Sequence, residues 1–362
     1  MNQPPAGDSR RPVGAAGTDP WGRSGVLGGL TLIVAVSVGL MTACVQSDGQ
    51  AMNVVFEPTL DEFINWEASF SLEENDSVLN ITPAVTVVHD GLLIADRSEN
   101  QVRSYNLDGS LRWALRSVSG QMLTKVLSVT PLRDSLLAIG TDGKAHALAT
   151  DGSGGRTISL NISEAHYAAP FPGNRMAVAT RFSPGDTTGL LRIFDGVRLT
   201  EVARLFRPRV EPALLGAASL AGWAGFSVRA DTAAAYFSLA DTIWLFSDDT
   251  QIEAIPLPSR RRLAAEPLPR NSARKDRVEW AARTSMINGL WWKRDGSFLV
   301  QYMEFVDNRA RYSLLHMSRE GEYLFEVAGS SELLAWDAAA DTGYFVDPTA
   351  DEPNRIVIGR LR

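Results

Sequence analysis

The sequence offers few side chains whose type and spacing suit catalysis. It has four histidines, at His89, His146, His166 and His316. They are widely separated, whereas a shared metal or a Ser/His/Asp triad needs several such groups to converge. No G-x-S-x-G motif is present, and the glycine-rich run 152–155 lacks the Lys-Ser/Thr pair of a phosphate-binding loop. We therefore predict no catalytic residue, no metal ligand and no cofactor.

Two oxygen-bearing side chains, Asp96 and Asn100, could contribute to a cation site. Calcium takes about six to eight oxygen ligands, so further donors would have to come from other segments. The corresponding positions later in the chain are Thr141-Asp142, Thr180-Arg181 and Asp347, which form no matching carboxylate or amide series. We interpret Asp96 and Asn100 as turn residues that accept backbone N–H groups. Calcium is expected only if the chain is a cation-dependent hydrolase.

The segment 256–285 is basic in an otherwise acidic chain. It holds eight basic and three acidic side chains, a net charge of +5, whereas the whole chain carries −7. This composition is typical either of a solvated loop or of a surface that binds a partner or an anion, such as acidic lipid headgroups. Residues 271–283 predict a short helix with Ser272 as its N-cap. The arginines of the candidate patch are Arg260, Arg261, Arg262, Arg270, Arg274 and Arg277.

Three tryptophans, Trp280, Trp291 and Trp292, could form an aromatic platform for a sugar. Aromatic side chains in strands more often pack into a core, where their large surface is removed from water. The tryptophans predicted to lie in strands and to pack in the core are Trp113, Trp244, Trp291 and Trp336.

Short β-rich runs separated by turn signals occupy the chain from position 54 to position 362. In the clearest unit, four strands are predicted, at 85–88, 92–95, 101–107 and 111–115, with Asp108-Gly109 as a hairpin turn. Four consecutive antiparallel strands in about 40 residues form the meander of a propeller blade.

The same unit recurs along the chain. The predicted second strands begin at positions 92, 136, 176, 234, 298 and 343. The intervals of 58 and 64 residues could hold a seventh blade, but they lack a second complete four-strand pattern, so we interpret them as insertions. The sixth unit lacks its fourth strand, and the alternating segment 62–71 is predicted to supply it and close the ring. Residues 54–362 therefore predict an all-β fold, a six-bladed β-propeller of four-stranded antiparallel blades with an Arg-rich insertion; two tandem sandwiches are the alternative.

One blade also resembles a known repeat. Leu93-Ile94-Ala95-Asp96, followed by Asn100-Gln101-Val102, Tyr105 and Asp108-Gly109, is similar to the NHL-type repeat of six-bladed propellers. Phe345-Val346-Asp347 with Asn354-Arg355-Ile356 is a weaker match. The resemblance implies membership in the broad group of bacterial six-bladed propeller lipoproteins. It does not select a function, because propellers serve as scaffolds, glycan binders, lactonases and lyases.

The start of the chain reads as a targeting signal. A basic flank with Arg10, Arg11 and Arg23 precedes an apolar run over residues 25–43, which is typical of a secretory signal peptide. Met41-Thr42-Ala43-Cys44 resembles the bacterial lipobox, which implies that residues 1–43 are removed and that Cys44 is lipidated. Residues 44–53 are then a short polar tether. The alternative is an uncleaved helix, since 19 apolar residues are long enough to span a bilayer.

Composition and charge narrow the functional classes. The single cysteine excludes an intramolecular disulfide, and a pI near 5.3 argues against nucleic-acid binding. The sequence thus predicts a lipid-anchored extracytoplasmic protein of the bacterial cell envelope that acts as a non-catalytic binding scaffold for a protein or glycan. The alternatives are a divalent-cation-dependent hydrolase of the lactonase or arylesterase type and a carbohydrate-binding protein.

Overall fold

Six four-stranded antiparallel sheets form a closed ring in the computed structural model. The structure describes residues 59–72, 84–97, 99–184, 189–248, 250–307, 309–347 and 355–362, all within one compact unit, Val55–Arg362. The innermost strand of each sheet contacts the innermost strands of both neighbouring sheets, around the whole ring. The predicted six-bladed β-propeller is thereby confirmed.

The described chain begins with a one-turn helix and a strand, and the first three blades follow, each built from its innermost strand outward. The elements are α1 (Leu60–Phe63), β1 (Ile64–Ser71), β2 (Ala84–Val88), β3 (Gly91–Asp96), β4 (Gln101–Asn106), β5 (Leu111–Leu115), a short hairpin of β6 (Ser117–Val118) and β7 (Gln121–Met122), β8 (Val126–Leu132), β9 (Ser135–Gly140), β10 (Lys144–Ala149), β11 (Gly155–Ser159), β12 (Ala165–Phe171), β13 (Arg175–Thr180), β14 (Leu191–Asp195) and β15 (Glu201–Leu205).

Blades four to six include the remaining helices. The elements are a 3₁₀ turn (Pro212–Leu214), α2 (Leu215–Ala221), β16 (Ala224–Arg229), β17 (Thr232–Phe237), β18 (Thr242–Ser247), β19 (Thr250–Pro256), α3 (Arg274–Ala281), β20 (Met286–Trp292), β21 (Phe298–Val306), β22 (Arg309–Met317), β23 (Tyr323–Ser330), β24 (Leu333–Asp337), β25 (Thr342–Val346) and β26 (Arg355–Leu361).

The second strand of a blade is apolar because it packs against neighbouring blades on both faces. All six residues of β3 are buried, and β9, β13 and β17 are buried at all but their first residue. The third and fourth strands of the first blade are joined by the predicted Asp108-Gly109 turn. There Gly109 has φ +87°, and the Asp108 carboxylate accepts the backbone N–H of Ser110 at 2.9 Å, as an Asx turn requires.

The ring closes by pairing the two ends of the described chain. Strand β1 pairs antiparallel with β26, so it becomes the outermost strand of the sixth blade. The register runs from Ile64 opposite Leu361 to Ser71 opposite Arg355, and Arg362 donates a hydrogen bond to Asn65 at 2.8 Å. The predicted closing strand is thus confirmed, with its first two residues assigned to α1. It satisfies the edge of the last sheet, which would otherwise be open to another chain.

Two insertions, rather than a seventh blade, fill the wide intervals. The first, between β15 and β16, contains α2; the second, between β19 and β20, contains α3. They pack against each other so closely that a Cβ on Gly216 of α2 would lie 1.6 Å from the Leu268 carbonyl oxygen. Helix α3 is shorter than predicted and its N-cap is Ala273, not Ser272. The Ser272 hydroxyl instead donates to the carbonyl of Pro269.

Several predictions about the start of the chain lie outside the described residues. These are the signal peptide at 1–43 with its apolar run, the lipidated Cys44 and the tether at 44–53. Among the residues that the structure describes, no helix is long and apolar enough to cross a membrane.

Candidate functional site

A cavity of about 170 Å³ lies on the axis of the ring, at the end where the innermost strands begin. We call this opening the channel mouth. Every blade contributes to its wall through its innermost strand, with Val85, Leu127, His166, Phe226, Asn288 and Leu334. Because six separate segments meet there, the channel mouth is the place where the fold brings distant parts of the sequence together.

A β-bulge places one extra residue in four of these innermost strands. The register is interrupted between Val126 and Ser128, Ala165 and Tyr167, Ile287 and Gly289, and Leu333 and Ala335. A bulge turns the extra side chain away from the regular alternation and is common beside functional sites. The extra residues are Leu127, His166, Asn288 and Leu334, and all four line the cavity.

Positive charge dominates the polar part of the channel mouth. Arg97, in the turn between β3 and β4, lines the cavity together with His166. Arg181 is exposed and does not line the cavity, although its backbone bridges to Trp223, whose ring lies 5.6 Å from the His166 ring. Burial, assisted by the Arg97 and Arg181 guanidinium groups, lowers the pKa of His166 to about 4, so the imidazole is neutral at neutral pH. Burial and then Arg181 lower the pKa of Arg97.

Neither Arg97 nor the nearby Arg181 is neutralised by a carboxylate in the described part of the chain. No ion pair of Arg97 or Arg181 with a described carboxylate is formed, and no described residue that lines the cavity is acidic. Arg181 instead donates to the carbonyl oxygen of Leu220 at 2.9 Å. The carbonyl oxygen of the Asn288 side chain is buried without a hydrogen-bond partner. The cavity wall therefore holds one guanidinium group, that of Arg97, while the Arg181 side chain is exposed outside the described lining.

Aromatic side chains form the rest of the wall. Trp291 lines the cavity, and Tyr167 packs edge-to-face on Phe226 with ring centroids 5.3 Å apart. Burial raises the pKa of Tyr167 to about 12, so its hydroxyl keeps its proton and is no base at neutral pH. The site thus has an apolar wall around a small cationic centre.

The predicted turn roles of Asp96 and Asn100 are confirmed. Asp96 is buried, accepts the backbone N–H of Glu99 at 3.1 Å and pairs with Arg103, whose Nε lies 3.2 Å from its Oδ2. Asn100 accepts the backbone N–H of Lys125 at 2.6 Å. These contacts stabilise the blade, and they use the oxygens that a cation would need.

The other histidines lie apart from the channel mouth. His146 and His316 are buried in third strands, as predicted, where they contact the hydroxyl oxygens of Thr157 at 2.9 Å and Ser297 at 2.8 Å. His89 is exposed in the turn after β2. No group of three or more potential metal ligands occurs among the described residues.

The six arginines of the candidate patch have different surroundings. The Arg260 guanidinium lies 4.1 Å from the centre of the Tyr323 ring, and the half-buried Arg262 donates to the Leu239 carbonyl at 2.7 Å. Arg261 is half-buried as well. The other three are exposed in or before α3, namely Arg270, Arg274 and Arg277. Arg260 is also exposed, and Arg277 donates to the Ser272 carbonyl at 3.0 Å, so exposure rather than a lack of internal contacts distinguishes the arginines that a partner could reach.

The proposed tryptophan platform is not formed. Trp280 is buried beneath the second insertion and donates to the Glu266 carbonyl at 2.9 Å, and Trp292 is buried between blades. Trp291 alone reaches the cavity, because neighbouring residues of a strand point to opposite faces. Sequence reasoning missed the channel-mouth residues other than Trp291 as a site. The only sequence signal for the channel-mouth residues was an innermost strand whose alternation is interrupted by one extra residue, the bulge residue.

Comparison with known proteins shows the fold and nothing finer. No protein-family model matches the chain, and no curated protein matches its sequence. A candidate exported protein from Bacteroides fragilis is 12% identical, with a TM-score of 0.56 over 84% of this chain and 97% of that chain. A member of the DUF4221 family from Bacteroides vulgatus is 8% identical, with a TM-score of 0.57 over 83% of this chain and 98% of that chain. The chain is therefore similar in fold to bacterial propellers of this kind.

Proposed function

We propose that this protein is a lipid-anchored, extracytoplasmic binding protein of the bacterial cell envelope, and that the channel mouth is its binding site. The observation that carries the proposal is the convergence of six innermost strands on one small cavity that Arg97, His166 and Trp291 help to line. A rigid ring holds such groups in fixed relative positions, which suits recognition. Of the hydroxyl groups in the described wall, that of Ser227 accepts the backbone N–H of Trp292 at 3.4 Å. Those of Tyr167 and Tyr236 keep their protons at neutral pH, because burial raises the pKa of both, and we therefore infer a non-catalytic role.

The anchor rests on the sequence alone. Cys44 follows an apolar run that resembles a lipoprotein signal, and one protein of similar fold is itself a candidate exported protein. The test is detergent phase partition of the full chain and of Cys44→Ser, with mass measurement of the N-terminus. We expect the native chain to begin at a diacylated Cys44 and to partition into detergent. An intact N-terminus that still partitions into detergent in Cys44→Ser would instead show an uncleaved helix.

The binding role is separable from hydrolysis by a metal measurement. A lactonase or arylesterase of the propeller type would need a divalent cation held by several oxygen donors. We expect the melting temperature of purified protein to be the same in EDTA and in millimolar calcium, with no hydrolysis of lactone or aryl-ester substrates. Calcium-dependent melting together with turnover would overturn the binding role.

The exposed arginines of the second insertion support a subsidiary role at the membrane surface. We propose that Arg270, Arg274 and Arg277 contribute attraction to anionic lipid headgroups, which is worth about 1 kcal/mol per basic residue near such a surface. The triple variant to Gln should bind anionic vesicles more weakly than the native chain. A matched triple variant of exposed arginines elsewhere on the ring, Arg156, Arg198 and Arg309, provides the control. Equal binding by both variants would contradict a specific role for the insertion.

A further inference from the structure

We propose that the fifth blade (β20–β23) docks an extended acidic segment of a partner protein, which adds as a further strand beside the start of β22. This surface is separate from the channel mouth, so the inference goes beyond the proposed function. Three features lead to it: an open strand edge, a groove beside that edge, and the charge of the side chains around both.

The open edge exists because two strands of the fifth blade are longer than their neighbours. Strands β21 and β22 have nine residues each, whereas the second and third strands of the other blades have five to seven. Pairing of β20 with β21 stops at Met303, and pairing of β22 with β23 stops at Tyr312. Among the described strands, residues 304–306 and 309–311 therefore pair only with each other, and we call them the fifth-blade tip.

The backbone at the outer edge of the tip is accessible to a new strand. Residues 309–311 are exposed, and alternate residues of an antiparallel strand direct their N–H and C=O groups away from the existing partner. The neighbouring strand β23 departs at a bulge whose extra residue, Gly329, has φ +63°. An unpaired edge is the template for strand addition. The outermost strands of the blades have open edges too, so the groove and the charge must select this one.

A groove of about 440 Å³ separates the tip from the second insertion. This volume lies within the range of roughly 300–1,000 Å³ that is usual for binding clefts. Val306 and Ala328 line the groove together with Leu263, which remains 44% exposed. Because the side chains of a strand alternate between two faces, every second residue of an added strand can point into this partly apolar groove.

Three arginines surround the edge and the groove. Arg309 and Arg311 are two positions apart in β22 and therefore share a face, and Arg261 lines the groove from the second insertion. Neither Arg309 nor Arg311 forms an ion pair with a described carboxylate. Glutamates in an added strand can accept charge-assisted hydrogen bonds from these guanidinium groups, and opposite charges on facing strands stabilise a sheet.

Two carboxylates lie near the same edge, and neither cancels this preference. Glu304 lines the groove and already accepts the hydroxyl of Ser285, and Asp307 is exposed in the turn of the tip. Together with the three arginines they leave a net charge of +1. The surface therefore favours an acidic strand over a basic one.

The first test measures the fluorescence anisotropy of three labelled eight-residue peptides with the full-length protein in detergent micelles. One peptide alternates Glu and Val, the second alternates Lys and Val, and the third is the Glu/Val peptide with two central prolines, which cannot join a sheet interior. We expect the Glu/Val peptide to bind at least tenfold more tightly than either of the others. Equal binding of the Lys/Val peptide overturns the acidic class, and equal binding of the proline peptide overturns strand addition.

Variants and hydrogen exchange locate the bound peptide. The double variant Arg309→Glu/Arg311→Glu should bind the Glu/Val peptide at least tenfold more weakly, whereas the matched variant Arg156→Glu/Arg198→Glu, at exposed arginines of other blades, should bind as the native chain does. Binding should slow amide exchange at residues 309–311 and leave the exposed outermost strand β19 unchanged. No binding, an unchanged affinity in the first variant, or protection confined to another edge or to α3 would overturn the proposal.

Discussion

A half-buried carboxyl group at the boundary between the last two blades makes the stability of the ring depend on pH. Glu332 lies in the link between β23 and β24, and its backbone is held on both sides. Leu333 exchanges two hydrogen bonds with the Gln301 side chain, at 2.6 and 3.2 Å, and the Glu332 carbonyl accepts from Val346 at 2.9 Å. Burial raises the pKa of Glu332 to about 7, although a hydrogen bond from Tyr312 opposes the shift.

The sign of the pH dependence follows from the two states. In the unfolded chain the group ionises near 4.5, so below that pH it is protonated in both states and contributes no pH dependence. Between pH 4.5 and about 7 the folded state binds the proton more tightly, and raising the pH favours unfolding. Above pH 7 the carboxyl group is ionised in both states, and the full destabilisation from burying its charge is present. At 1.36 kcal/mol per pKa unit, the shift corresponds to roughly 3 kcal/mol, and partial exposure to water reduces it to about 2–3 kcal/mol.

The perturbation that tests this is Glu332→Gln, which keeps the shape and an acceptor for Tyr312 but cannot ionise. The free energy of unfolding is measured by urea denaturation of the native chain and the variant at pH 4.5 and pH 8. We expect the two proteins to differ little at pH 4.5 and the variant to be more stable by about 2–3 kcal/mol at pH 8. Taking the difference between proteins removes the contributions of all other titrating groups.

A second variant tests the role of the hydroxyl. Tyr312→Phe removes the donor that favours the ionised carboxylate, so it should destabilise the chain more at pH 8 than at pH 4.5. The reasoning would be refuted if Glu332→Gln changed the stability equally at both pH values, or lowered it at pH 8. Either result would mean that the native carboxylate is ionised without cost in the folded ring.

Three further perturbations probe the blade, the insertions and the closure. Asp96→Asn breaks the buried ion pair with Arg103. We expect the free energy of unfolding to fall by about 3–5 kcal/mol and the melting temperature to fall by roughly 5–8 °C for a domain of about 300 residues. In a thermal melt, calcium should change the melting temperature of neither protein. Gly216→Ala forces a Cβ against the Leu268 carbonyl and should cost about 1–3 kcal/mol, whereas Gly154→Ala, whose Cβ meets nothing within 4 Å, should change the urea midpoint little. A chain lacking α1 and β1 exposes the edge of β26, and gel filtration should show aggregation; a stable monomer would contradict the closure.

Much of the fold could be predicted because the outer three strands of each blade follow simple rules. The second strands are apolar throughout, the third and fourth alternate, and Asp-Gly turns such as Asp108-Gly109 mark the hairpins. The closing strand β1 was predictable for the complementary reason that the sixth unit lacked a partner for its edge. The positions of the two insertions were predictable from the wide spacing between successive second strands. Their packing against each other through Gly216 and Leu268 was not, because it depends on a contact between segments distant in sequence.

The innermost strands were harder to recognise, and the candidate site lies on them. Bulges at His166 and Asn288 interrupt the two-residue alternation by which a strand is identified, so the pattern loses its period where the side chains turn towards the axis. The candidate tryptophan site failed for a related reason. Trp291 and Trp292 are neighbours in sequence, but a strand directs them to opposite faces, and only the ring determines which face is the channel.

What the sequence by itself determined is the set of local properties: the alternation and turns that make four-stranded blades, the number of units, the missing strand, and the lipoprotein-like start that ends at Cys44. These follow from interactions between residues close together in the chain. Only the tertiary structure decided which residues share a site. Arg97, His166 and Arg181 belong to two different blades, and Asn288 to a third, and each is unremarkable in its own segment. Closing the ring brings Arg97, His166 and Asn288 to the wall of one small cavity, with Arg181 outside it; electrostatic and hydrogen-bond energies depend on distance in space rather than on separation along the chain.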